Sequence, residues 1–254
     1  MWSGMRMPRG GYSAGGATGS SYRDTGKVEA FFKVYSGGED TIPVEGTEKL
    51  CGDCGFSTLD PVALVLCYHC GAKQMGSFTK QEFLHGMAVL GAQSVEELRE
   101  RVADMRSQLH PKHPLSKKIY SNVFLLSLDP GQKQLGKEMA IEIWKLMLPL
   151  YGNGELAENW LDYYEAKICY HYRTFLVLKK LDNDNRFSFH NYVENTSTKP
   201  AISKDVWNMV FDLITTCAKD MSDYDDDGAW PVMIDDFAAH VRSQQRAGEN
   251  QQGD

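Results

Sequence analysis

Apolar residues along this chain recur every three or four positions, and that period predicts helices nearly throughout. Asp60 before Pro61 marks a helix start that continues from Val62 to Cys70. Thr79-Lys80-Gln81-Glu82 reads as a capping box, with Gly91 as the stop after Leu90. Ser94-Val95-Glu96-Glu97 reads as a second box, opening a helix toward Leu109. Between Leu135 and Leu150 the positions Met139, Ile143, Leu146, Met147 and Leu150 form one apolar stripe. Leu156 and Ala157 open a shorter helix ending near Tyr163. Ser203 caps a helix predicted to run to about Lys219, with Trp207, Val210, Phe211 and Ile214 on one face. Pro231 suits a first helical position, and Ile234, Phe237 and Ala238 follow it at helical spacing. Only part of Thr174–Leu181 alternates with period two. The prediction is a single all-α domain.

The two ends break this pattern. Residues 1–26 are rich in Gly and Ser and read as a flexible tail, 27–242 as the folded domain, and 243–254 as a second polar tail. With 254 residues the chain is long enough to bury a full core. Its net charge of -7 gives an overall field that repels nucleic acid. No apolar run approaches the roughly 20 residues of a membrane helix. The start has no apolar stretch for a secretory leader, and Trp2 stands where myristoylation requires glycine. The six cysteines are therefore expected as reduced thiols, in the nucleus and/or cytoplasm. The seven histidines form no motif with a nucleophile, so a conventional enzyme is not expected.

Three constellations could carry chemistry. Cys51-x-x-Cys54 and Cys67-x-x-Cys70 have the spacing of a four-thiolate zinc site. The second pair lies inside an apolar helical run, where cysteine is also an ordinary small core residue, and nothing cationic adjoins either pair to activate a dithiol. Asp223-x-Asp225-x-Asp227-Gly228 matches the first half of a calcium loop, but Ile234 stands where the closing Glu belongs. A weaker echo, Asp182-Asn183-Asp184, lacks both the Gly and the Glu. The third set is acidic: Asp205, Asp235 and Asp236, with the small Ala229 beside Trp230. It reads either as a solvated face or as a docking patch for a basic protein.

Several segments together resemble one family. Gly228-Ala229-Trp230-Pro231-Val232-Met233-Ile234-Asp235-Asp236-Phe237 resembles the potentiating-neddylation (PONY) domain of the defective-in-cullin-neddylation family. So do Ser203-Lys204-Asp205-Val206-Trp207-Asn208, Met221-Ser222-Asp223-Tyr224-Asp225, Phe78-Thr79-Lys80-Gln81-Glu82-Phe83, Asp129-Pro130-Gly131-Gln132-Lys133 and Glu138-Met139-Ala140-Ile141, in order from about Lys27 to Val241. The resemblance implies degenerate EF-hand-like helix pairs that hold no calcium, and a scaffold without a cofactor or metal. It implies that a cullin C-terminal region and the neddylation conjugating enzyme are held together, with the RING-finger subunit of cullin ligases as a further partner. The implied cullin surface is Asp205, Ala229 and Asp235, with Asp236 beside it. The implied pocket for the acetylated N-terminus of the conjugating enzyme is Val44, Thr47, Ala63, Leu66, Cys70, Leu126, Ile143 and Leu146, widened by Thr47, Ala63 and Cys70. No ubiquitin-binding three-helix module is expected ahead of the domain. Calcium-sensing and zinc or dithiol proteins are the alternatives from other classes.

The order of segments breaks at one place. Trp160-Leu161-Asp162-Tyr163 should run into Val193-Glu194-Asn195, but residues 164–192 intervene, rich in Tyr and Phe. The expectation is an atypical insertion, a retained intron or splice product, bulging from a surface loop that tolerates extra length.

Overall fold

The structure, a computed structural model, describes residues 25–166 and 201–251. Residues 1–24, most of the expected insertion, the Thr174–Leu181 stretch, Asp182-Asn183-Asp184 and residues 252–254 lie outside the described residues; of the expected C-terminal polar tail, residues 243–251 instead continue the last helix.

Four short strands join helices into two similar pairs. In the first, α1 (Thr25–Ser36), β1 (Thr41–Ile42) and α2 (Val44–Cys54) face α3 (Val62–Cys70), β2 (Phe78–Thr79) and α4 (Lys80–Leu90). The strands pair antiparallel, with Thr41 opposite Thr79 and Ile42 opposite Phe78. Next come α5 (Val95–Ser107) and then the second pair: α6 (Ser116–Leu126), β3 (Gln134–Gly136) and α7 (Lys137–Met147), with a 3-10 turn at Leu148–Tyr151. Helix α8 covers residues 154–166, and β4 (Ala201–Ser203) leads into α9 (Lys204–Thr216). Strands β3 and β4 are antiparallel, with Leu135 opposite Ile202. The last helix is α10 (Val232–Gln251). Helix–strand–helix units coupled through short strands are the EF-hand-like plan, and the domain is all-α apart from these bridges.

The predicted caps form. Thr79 Oγ1 accepts from the Glu82 N–H at 3.3 Å, and the Glu82 carboxylate accepts from the Thr79 N–H at 2.8 Å. Ser94 and Ser203 accept from the N–H of Glu97 and Val206, but the Glu97 carboxylate accepts from the Gln93 N–H and not from that of Ser94, so the second predicted box is only half formed. Gly91 ends α4 at φ 70°, a left-handed conformation that favours glycine. Helices α1, α2 and α6 were not marked by capping residues. Helices α2 and α6 begin after Pro43 and Leu115, neither of which makes a side-chain cap.

Three boundaries differ from the sequence reading. Leu135 belongs to β3, and the buried face of α7 is Ala140, Ile141, Ile143, Trp144 and Met147, whereas Met139 and Leu150 are exposed. The bulky Trp144 turns the helix so that its own side faces inward. Helix α9 stops at Thr216, because Cys217 is extended. Helix α8 continues past Tyr163: Tyr164, the first residue of the expected insertion, is buried and stacks on Trp160 with ring centroids 5.8 Å apart. It is not part of an exposed loop.

The core is continuous across both pairs. Phe31 and Phe32 meet Phe83 between α1 and α4. In the second pair Trp207 stacks on Tyr120 and on Trp144, with centroids 4.7 and 5.5 Å apart. Two of the buried indole N–H groups there are paired. The Trp144 indole N–H donates to the Tyr120 hydroxyl at 2.8 Å, and the Trp207 N–H donates to the Tyr120 carbonyl at 3.0 Å. No helix among the described residues is long and apolar enough to cross a membrane.

Candidate functional site

The loop from Cys217 to Pro231 links α9 to α10 and is held from within. Asp223 accepts from the Ala218 N–H at 2.7 Å, and Asp225 accepts from the Asp227 N–H at 3.1 Å. Arg242, from α10, donates to the carbonyls of Met221 and Tyr224 and pairs with Asp226 at 2.7 Å. These carboxylates serve separate turns and do not converge as a calcium loop would require. Among the described residues no group of three or more His, Cys, Asp or Glu is placed to hold a metal ion.

Tyr224 is the centre of this loop. Its ring is buried and stacks on Trp230 with centroids 5.4 Å apart, and the Arg242 guanidinium lies over the same ring. Its hydroxyl donates to Asp235 Oδ1 at 2.6 Å. Burial, reinforced by that carboxylate, raises the Tyr224 pKa above its ordinary value. The hydrogen bond therefore orients one oxygen of the half-buried Asp235. Gly228 makes the fold-back possible, since a Cβ there would lie 2.7 Å from the Trp230 indole nitrogen. Ala229 is exposed between Gly228 and Trp230.

The expected acidic set is thus partly assembled. Asp235 is in the first turn of α10 and half-buried, and Asp236 follows it, exposed. Ala229 is tied to Asp235 through Trp230 and Tyr224. Asp205 is exposed in the first turn of α9, where a negative charge favours the helix dipole. Tyr224 and Arg242 were not read as builders of this surface. The aromatic at Tyr224 was visible, but its bond to Asp235 spans eleven residues and forms only in the tertiary fold.

The eight pocket residues divide differently. Thr47, Leu66, Cys70, Leu126 and Ile143 are buried in the core, Ala63 and Leu146 pack partly buried against it, and Val44 is exposed at the start of α2. They lie on α2, α3, α6 and α7, and of these elements α3 and α6 pack together across the two helix pairs. The Thr47 hydroxyl is buried with no hydrogen-bond partner.

The four paired-spacing cysteines are free and buried. Burial pushes the Cys51 thiol up to about 12 and those of Cys54 and Cys67 to about 11, and raises Cys70 further. Such thiols stay protonated near neutral pH and are poor nucleophiles.

The family model described as cullin binding matches residues 97–240. The chain belongs to the defective-in-cullin-neddylation family. It is 31% identical over 220 residues to DCN1-like protein 5 of Homo sapiens, covering 87% of this chain and 79% of that one. It is 30% identical over 218 residues to DCN1-like protein 3 of Drosophila melanogaster, where it spans 56% of the relative's length. Defective in cullin neddylation protein 1 of Yarrowia lipolytica is 26% identical over 220 residues. The cullin-binding match runs from α5 into α10 and includes the Tyr224–Trp230–Asp235 unit of this member of the family.

Proposed function

We propose that this chain is a non-catalytic co-ligase for cullin neddylation. It holds a cullin C-terminal region on Asp205, Ala229, Asp235 and Asp236, and the acetylated N-terminus of the neddylation conjugating enzyme in the seam lined by Val44, Thr47, Ala63, Leu66, Cys70, Leu126, Ile143 and Leu146. Family membership supports the cullin partner. The observation that carries the surface is the hydrogen bond from Tyr224 to Asp235, which holds an acceptor for a basic partner beside the exposed Ala229. Ala229 stays small so that the partner backbone can approach.

The mechanism is proximity. Two proteins bound on one rigid domain are oriented, and transfer of the modifier from the enzyme's cysteine to a cullin lysine becomes effectively unimolecular. No side chain of this domain needs to touch the reacting atoms. Acetylation of the enzyme's N-terminus suits an apolar seam because it removes a charge that would be costly to bury. The RING-finger subunit of the cullin ligase would sit in the same assembly, in the nucleus and/or cytoplasm. A reconstituted transfer reaction tests this: adding the chain should raise the rate of cullin modification, and Ala229→Arg should return it to the unassisted rate. No acceleration by the wild-type chain would contradict the proposal. For the seam, an acetylated N-terminal peptide of the enzyme should bind and its unacetylated form should not.

A further inference from the structure

Helix α6 leaves one face uncovered between α3 and α9. Lys118, Ser121, Asn122 and Leu125 follow one another at helical spacing along that face, and with Tyr68 and Lys204 they line an open groove of about 590 Å³. That volume lies within the roughly 300–1,000 Å³ of clefts that hold small ligands or short peptide segments. Two features set the groove apart from the rest of an acidic surface. Lys118 and Lys204 are exposed and make no ion pair among the described residues. Lys117 is already committed to Asp212 at 2.7 Å. Leu125 is 50% exposed, an apolar side chain in open view beside these charges.

The larger cleft over Cys54 and Leu109 contrasts with this. Its Arg106 is paired with Asp60, and its Arg99 donates to the Asp53 carbonyl, so its cations are spent within the fold.

We propose that the α6 groove binds an acidic peptide segment carrying an apolar side chain. Carboxylates of the segment would meet Lys118 and Lys204, and its apolar residue would cover Leu125 and Tyr68. A membrane surface fits poorly, since two unpaired lysines and one leucine do not make a polybasic amphipathic face. A nucleic acid fits poorly as well, since one tyrosine ring and two unpaired lysines do not make a stacking platform along a basic track. The inference goes beyond the scaffold reading and does not depend on it.

The test titrates the full chain into a fluorescein-labelled peptide of alternating Glu and Leu and follows anisotropy, with no cullin present. Saturable binding that weakens with added salt is expected. The double variant Lys118→Glu/Lys204→Glu, whose exposed positions leave the core untouched, should weaken it roughly tenfold, since each exposed ion pair supplies at most about one factor of several. Leu125→Asp should weaken it as well, and circular dichroism should show both variants folded. No binding, equal binding by the variants, or equal affinity for a single-stranded oligonucleotide would overturn the proposal. Because cullin is absent, a chain that binds this peptide but no cullin would break the scaffold reading alone, and the reverse result would break this one alone.

Discussion

In the first helix–strand–helix pair, helices touch through glycine. A Cβ on Gly46 would collide with the Tyr35 carbonyl, and one on Gly86 would collide with the Cys70 sulfur and lie 2.9 Å from its Cα. In the second pair the same connectivity is spaced apart by rings: Tyr120, Trp144, Trp160, Tyr164, Trp207 and Phe237 form one buried set. The first solution leaves little room for a side chain to change. The second is filled by a few large residues whose polar edges need partners, and among the described residues the indole nitrogen of Trp160 and the hydroxyl of Tyr164 find none. The second pair also carries the acidic loop and the undescribed residues 167–200, between α8 and β4. One topology therefore supports a close-packed half and an aromatic half that presents the proposed docking surface.

Substitutions can break this comparison in order of expected size. Trp207→Ala removes two ring stacks and the hydrogen bond to Tyr120, and should cost about 3–5 kcal/mol in denaturant unfolding. Gly86→Ala should cost about 1–3 kcal/mol, because the neighbour it meets includes backbone that cannot swing away. Adding Cys70→Ala to it should recover part of that loss by removing the sulfur. Equal costs for Gly86→Ala with and without Cys70 would show that the two helices do not meet as described.

Tyr224→Phe should cost about 1 kcal/mol, the net worth of a hydrogen bond to a charged group or slightly less. It also has a pH signature. Burial and Asp235 raise the Tyr224 pKa in the folded chain, so folding favours its protonated form. That contribution is fully present below the unfolded value near 10 and is lost as pH rises from there through the folded value. Thermal melts should therefore show a steeper alkaline decline for the wild type than for Tyr224→Phe. The smallest effect, of opposite sign, is expected at Thr47→Val. Replacing a buried hydroxyl that has no partner by a methyl group should leave stability unchanged or raise it by up to about 1 kcal/mol.

What the sequence revealed followed the range of the interactions involved. Helices α4, α5 and α9 could be read because Thr79, Ser94 and Ser203 cap them within three residues. Helices α2 and α6 could not, since nothing in their first turns accepts a backbone N–H by side chain. Strands of two or three residues are too short to show a period, so the bridges that couple the pairs stayed hidden. The end of α8 was misplaced because Tyr164 is held by stacking on Trp160 and an edge-to-face contact with Trp144, which no local pattern encodes. At the acidic site, Asp205, Ala229, Asp235 and Asp236 were legible as residues. The network that shapes them was not, since Arg242 reaches back to Met221 and Tyr224 across the loop.

The most direct test of the scaffold account is calorimetric titration of a cullin C-terminal domain with the wild-type chain and with Ala229→Arg. The account predicts saturable binding by the wild type and a loss of about 2 kcal/mol or more in the variant, where arginine would fill the approach to Asp235 with like charge against a basic partner. Equal affinity of the two proteins, or no binding by the wild type, would contradict it.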